Sequence, residues 1–201
     1  MKRLNLLGKR FYGIAFGMLA GISQLSAQDA TGWIPLIDRV SGLENFNRTG
    51  AADWVAADEA IQVGEGGEGF SFLVTKDAYG DFELRVEVWA SDDANSGIFL
   101  RCADPAQIDP ATCYEVNIFD QRPDPAYGTG AIVDVAKVDP MPSAGGRWNT
   151  FEITARGPRL TVVFNGQQTV TVEDDRLAKG PIALQWGAGL VKFRKVTIRP
   201  R

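Results

Sequence analysis

The stretch DFELRVEVWA, Asp81–Ala90, decides the fold class. Phe82, Leu84, Val86 and Val88 alternate with Glu83, Arg85, Glu87 and Trp89. A period of two is that of a half-buried strand, with one face in a core and the other turned outward. Downstream, RLTVVFNGQQTVTV (159–172) is a hairpin, because two β-rich runs meet at Asn165-Gly166, the pair that a tight type I′ turn prefers. WNTFEITARG, GAIVDVA, PIALQW and LVKFRKVTIRP read as further strands, as do WIPLID, AIQVG and GFSFLVT nearer the start. Gly, Pro and Asp stand at the breaks, and no window carries a convincing helical period. About a dozen short strands with this turn spacing predict an all-β domain. A two-sheet antiparallel jelly-roll sandwich fits best, with other closed barrels as the alternative.

The N-terminus reads as a secretion signal. Lys2, Arg3, Lys9 and Arg10 precede the apolar run FYGIAFGMLAGI, and QLSAQDA offers a small-residue cleavage site after Ala27. The run is shorter than the ~20 residues that a spanning helix needs, which argues against a retained anchor. Residues 1–27 are therefore expected to be a signal peptide and 28–201 a single exported domain, periplasmic or secreted and free of the membrane. Removing four of the 21 basic residues leaves 17 against 25 acidic ones, a net charge near −8. Such a domain repels phosphate backbones, so nucleic acid is a poor partner.

Cys102 and Cys113 flank the loop ADPAQIDPAT between two strand-like runs. In an oxidising compartment they are expected to pair, with free thiols or part of a metal site as the alternatives. The adjoining stretch NSGIFLR (95–101) poses the functional question. Ile98 and Leu100 take the core face, so Gly97, Phe99 and Arg101 should point the other way. By the same parity YEVNIFD (114–120) turns Glu115, Asn117 and Phe119 outward, and PIALQW turns Ala183 and Gln185 outward. If these strands share a sheet with the outward set Glu83, Arg85, Glu87 and Trp89, one face collects amides, charges and aromatic rings. Such a face suits a sugar, whose C–H surface packs on rings while its hydroxyls need fixed polar partners. A merely solvated face is the plain alternative.

NSGIFLR, YEVNIFD, GAIVDV, RWNTFEITARG, FNG and GPIALQWG…VKFRKVTIRP, in that order, resemble the 3-keto-disaccharide hydrolase domain family from near TGWIPLID to the C-terminus. The resemblance implies a concanavalin-like jelly roll and cleavage of glycosides already oxidised to a ketone at C3 of the sugar. A C3 ketone acidifies the proton on C2; a base removes it, and the resulting enolate expels the group at C1. The chemistry needs a carboxylate base, a donor for the enolate oxygen and an acid for the leaving group. The expected catalytic set is Glu115 as acid/base, Arg101 on the enolate or substrate, and Asp120 as a second carboxylate or a structural strand end. Asn95, Asn117 and Gln185 would hold hydroxyls, and Trp89 or Trp186 would stack on the ring; Trp148 reads as core. Many relatives carry a His after LQ, whereas this chain reads LQWG and contains no His at all. A histidine base or His-ligated metal is thereby excluded, and any divalent cation (Ca²⁺, Mg²⁺ or Mn²⁺) would need oxygen ligands such as Asp92 and Asp93 in SDDANSG. Asn117 stands where the family usually has Gln. A carbohydrate partner is expected, with a sugar 3-oxidoreductase upstream to make the ketone; a non-catalytic carbohydrate-binding sandwich is the alternative.

Overall fold

The computed structural model describes residues 31–64 and 67–201, so the expected signal peptide lies outside the described residues. Among the described residues, thirteen strands form two antiparallel sheets. The larger runs β11 (Gln167–Glu173), β10 (Arg159–Phe164), β9 (Trp148–Arg156), β6 (Phe82–Ala90), β13 (Val191–Pro200), β4 (Ala60–Val63) and β3 (Val55–Ala57), with β1 (Ile34–Asp38) also on β13. The smaller runs β2 (Phe46–Thr49), β5 (Ser71–Thr75), β12 (Ala183–Trp186), β7 (Ser96–Leu100) and β8 (Tyr114–Ile118). This is the expected all-β jelly-roll sandwich.

Parity builds the core. Leu84, Val86 and Val88 from β6, with Phe151, Ile153, Phe193, Val196 and Ile198, meet Ile98, Leu100, Tyr114, Val116, Ile118 and Leu184 from the smaller sheet and Ile182 just before β12. Each such side chain contributes roughly 1.5–3 kcal/mol when taken fully out of water. The β10–β11 hairpin turns at Asn165 (φ 49°) and Gly166 (φ 80°), the two positive dihedrals of a type I′ turn.

GAIVDVA departs from its sequence reading. Residues 130–136 form a turn-rich segment that lies along the edge of β8, with Ala131 O accepting from Asn117 N at 3.0 Å and Val133 N donating to Glu115 O at 2.9 Å. The positive φ of Gly130 (85°) and Asp134 (59°) bends the segment too sharply for a full strand. Its apolar residues read as a strand because they are buried, and burial alone does not make a ladder. The segment still caps the exposed edge of β8, which would otherwise present unpaired backbone groups.

Candidate active site

Three strands of the smaller sheet build the site. Antiparallel registers place Gln185 (β12), Gly97 (β7) and Asn117 (β8) side by side in one row, and Ala183, Phe99 and Glu115 in the next. All six project from the face opposite the core, as parity required. β6 does not join them, because it lies at the centre of the larger sheet. The condition that gathered four outward faces into one therefore holds for three.

This outer face is not open to solvent throughout. Cys102 and Cys113 form a disulfide, and with Phe72, Val74, Phe99 and Ala183 they make a second apolar cluster onto which Ile108 of the intervening loop packs. Phe72 and Phe99 meet edge to face, centroids 5.4 Å apart. Beside the cluster is a pocket of about 180 Å³ lined by Phe70, Asn95, Phe99, Ile108, Asp109, Pro110, Glu115, Arg122 and Gln185. The disulfide loop supplies one wall and the sheet the floor.

Glu115 is the chemical centre of this pocket. Its side chain is 6% exposed, and among the described residues no hydrogen bond reaches its carboxylate. Burial pushes its pKa up to about 7; the nearby charge of Arg122 pulls it down and that of Asp134 pushes it up. A carboxyl titrating there is half ionised at neutral pH, which suits a group that takes and returns a proton. Gln185 (4% exposed) and Asn117 (0%) stand beside it with Oε1 and Oδ1 buried and unpartnered. Asn117 Nδ2 is committed to Tyr127 O at 2.7 Å. Asn95, half-buried, lines the same pocket.

Two contributors escaped the sequence reading. Arg122 lies in the irregular DQRPDPAYGTG segment, where parity says nothing, yet it lines the pocket, its charge acts on Glu115, and it has no ion-pair partner among the described residues. Phe70 precedes β5 and is 56% exposed at the rim. Its ring passes so close to Gly187 that a Cβ there would lie 2.8 Å from it. An exposed large aromatic next to polar groups is a platform for a sugar face.

Four expected site residues belong elsewhere. Arg101 is 1% exposed and its guanidinium is fully engaged, Nε on Gly80 O (2.9 Å), Nη1 on Gly157 O and Leu177 O (2.8 and 3.1 Å) and Nη2 on Asp81 Oδ1 (3.1 Å). Its φ of 50° breaks strand parity one residue after β7 ends, swinging the side chain away from the Glu115 pocket. Asp120 accepts from Thr129 Oγ1 (2.6 Å), Ser143 Oγ (2.8 Å), Ala144 N (2.9 Å) and Gly145 N (2.9 Å). Burial alone would raise its pKa, but these bonds hold it below the usual carboxylate range. It ties the end of β8 to the 143–145 turn. Trp186 points into the core, with Nε1 donating to Gly189 O at 2.8 Å. Trp89 lies on the outer face of the larger sheet beside Lys192, whose ammonium is 5.9 Å from its ring. Trp148 is also half-buried on that face rather than in the core, with the Arg194 guanidinium 4.2 Å above its ring. Asp92 and Asp93 are exposed, and Asp93 Oδ1 accepts from Ser91 Oγ. Among the described residues no three His, Cys, Asp or Glu side chains gather in a metal-binding group.

The site is thus a small, amide-lined pocket on the outer face of one sheet of a jelly roll. The chain belongs to the 3-keto-alpha-glucoside-1,2-lyase-like domain family, which it matches over residues 32–199. That is the family its motifs resembled. A solved structure from Parabacteroides distasonis, described as a "Putative glycosyl hydrolase", is 25% identical with a TM-score of 0.69, covering 84% of this chain and 99% of that one. A carbohydrate binding module from Bacillus subtilis shares the fold at 15% identity and a TM-score of 0.56, over 84% of this chain and 95% of that one. A Bacillus subtilis protein of unknown function with a galectin-like fold is 11% identical with a TM-score of 0.61, over 79% and 90% of the two chains. Comparison with curated proteins finds no match.

Proposed function

We propose that the protein cleaves the glycosidic bond of 3-keto-glycosides, with Glu115 as the proton-transfer group. The observation that carries this reading is a buried carboxyl, titrating near neutrality, in a pocket that also holds two amides, one unpaired guanidinium and Asp109, whose carboxylate is engaged by its own loop. As carboxylate, Glu115 takes the proton on C2. The C–H electron pair becomes the C2–C3 double bond, and the ketone oxygen becomes an enolate facing Arg122. When the ketone re-forms, the electrons shift to C1–C2 and the C1–O bond breaks. The proton held by Glu115 goes to the departing oxygen. The products are an alcohol and an unsaturated 3-keto sugar, and water adding across the new double bond gives the free 3-keto sugar. Asn95 and Gln185 would hold hydroxyls, and Phe70 takes over the stacking role first given to Trp89 and Trp186.

The ketone must come from a separate oxidation at C3, so a sugar 3-oxidoreductase is the upstream activity. Export is part of the same proposal, supported by the N-terminal basic and apolar segments and by the Cys102–Cys113 disulfide. A second reading, a carbohydrate-binding module, is favoured by one feature, the exposed Phe70 beside unpartnered amides. The deciding experiment incubates the protein with a 3-keto-glucoside carrying a chromogenic leaving group, alongside Glu115→Gln. Release by wild type and loss of at least about 10²-fold in the variant, the scale of general acid–base catalysis, is the expected result. Binding of the glycoside without release by either protein would favour the binding module.

A further inference from the structure

Gly97 lies between Gln185 and Asn117 on the outer face of the smaller sheet. A Cβ built there would lie 3.1 Å from Glu115 Oε1, 3.1 Å from the Phe99 ring and 3.3 Å from Gln185 Oε1. Two acceptor oxygens thus flank the same residue with no side chain. One belongs to the carboxyl that moves the proton; the other is a neutral amide oxygen, buried and without a donor. A buried acceptor left unmatched is costly, so its partner is expected to come with the ligand.

We propose that Gln185 and Gly97 form a specificity element requiring a free hydroxyl on the very carbon that Glu115 deprotonates. The unit that satisfies a base and a neighbouring amide acceptor together is a carbinol, H–C–O–H. Its carbon-bound hydrogen goes to Glu115 and its hydroxyl hydrogen to Gln185 Oε1. On a 3-keto-glycoside that carbon is C2, so the substrates are sugars with an unsubstituted 2-hydroxyl. A side chain at Gly97 would crowd both oxygens and displace them from this arrangement. Gln185 is then a positioning residue: it turns the C2–H bond toward the base through the adjacent O–H. The same contact grows stronger as the C2 hydroxyl becomes an enol hydroxyl, a better donor than an alcohol. This inference rests on the assignment of Glu115 as the base.

The test uses two chromogenic substrates, a 3-keto-glucoside and its 2-deoxy counterpart, each enzymatic rate divided by the uncatalysed elimination rate of the same compound. A site built to bond a hydroxyl rejects the analogue lacking it by ~10⁴ or more, and the partly open wall here lowers the expectation to at least ~10². Wild type is therefore expected to favour the hydroxylated substrate by that factor. Gln185→Met is expected to bring the two within a few-fold by slowing the hydroxylated substrate alone. Gly97→Ala is expected to slow that substrate at least as much while the melting temperature stays near that of wild type. Equal normalised rates in wild type would overturn the proposal, however the variants fold. An unchanged preference in Gln185→Met would overturn it as well. If wild type releases neither chromophore, the hydrolytic reading itself fails; if it releases both equally, that reading stands and only the role of Gln185 and Gly97 is lost.

Discussion

Replacing Arg101 with Met should cost stability and leave chemistry alone. The guanidinium is 1% exposed and donates to three backbone carbonyls and one carboxylate, which belong to the turn before β6 (Gly80, Asp81), the β9–β10 turn (Gly157) and the segment after β11 (Leu177). Methionine keeps most of the volume, so a cavity term is minor, but three carbonyls lose the Arg101 donor and Asp81 Oδ1 keeps only Gly157 N. Removing one partner of a buried, hydrogen-bonded charge typically costs about 3–5 kcal/mol. The exposure of Asp81, 45%, places the expectation toward the lower part of that range, about 3–4 kcal/mol, because water can re-solvate its carboxylate. For a domain of this size that corresponds to a fall of roughly 6–15 °C in melting temperature. Urea denaturation with matched m-values measures the loss, and turnover of a chromogenic 3-keto-glucoside, normalised to folded protein, measures the chemistry. Activity per folded molecule should stay within a few-fold. A variant as stable as wild type but inactive would refute the structural assignment and return Arg101 to the reaction.

The pH dependence of Glu115 follows from its raised pKa of about 7. As the base must be ionised, kcat/KM should rise with pH and level off above about 7, a limb that Glu115→Gln abolishes along with activity. The stability sign is the reverse. A carboxyl whose folded pKa exceeds its unfolded value gives stability that is full below about pH 4.5, declines as pH rises to about 7 and levels off above it. Wild type should thus lose on the order of 3 kcal/mol relative to Glu115→Gln between pH 4 and pH 8, read from denaturation curves at both pH values. Asp120 behaves oppositely: its depressed pKa stabilises the fold above the usual carboxylate range, so Asp120→Asn should cost about 2–3 kcal/mol at pH 7 and progressively less as pH falls below that range. Opening the disulfide with Cys102→Ser and Cys113→Ser together removes a short cross-link, separation 11 residues, for a loss of roughly 2–3 kcal/mol. The substrate KM should rise in that variant because Ile108, Asp109 and Pro110 no longer hold the wall. Trp89→Ala should leave kcat and KM unchanged, since the ring lies on the other sheet; a tenfold fall in kcat/KM would contradict that placement.

Strand parity carried the sequence reading where backbone was regular and failed where it was not. Glu115, Asn117, Gln185 and Gly97 were legible because β7, β8 and β12 are unbroken and adjacent, so alternation maps directly to faces. Arg101 was lost by one residue with positive φ, an event that sequence alternation cannot register. Trp186 was assigned to the ligand although its own parity, shared with Ile182 and Leu184, already put it in the core. Trp89 was misplaced at another level: its face was read correctly, but sheet membership is set by pairings distant in sequence. Arg122 and Phe70 sit in irregular segments, where neither period nor turn chemistry predicts direction. GAIVDVA shows the limit of hydrophobicity alone, since covering an edge and extending a sheet bury the same residues.

The disulfide loop and the acidity of Glu115 are parts of one arrangement. A carboxylate on the outer face of a sandwich sheet ordinarily meets water and titrates near 4. Here the loop closed by Cys102 and Cys113 packs Ile108 over Phe99, the direct cross-strand neighbour of Glu115, and the 130–136 segment covers the edge of β8. Both remove solvent from around the carboxyl, and desolvation is the largest contribution to its shift. Opening the disulfide should therefore do more than weaken substrate binding. The acidic limb of kcat/KM should move down from about 7 toward ordinary glutamate values, and maximal kcat should fall because the base becomes weaker. A double Cys→Ser variant with a raised KM but an unmoved limb would show that the loop walls the pocket without drying it, and would leave the β8 edge segment as the source of the shift.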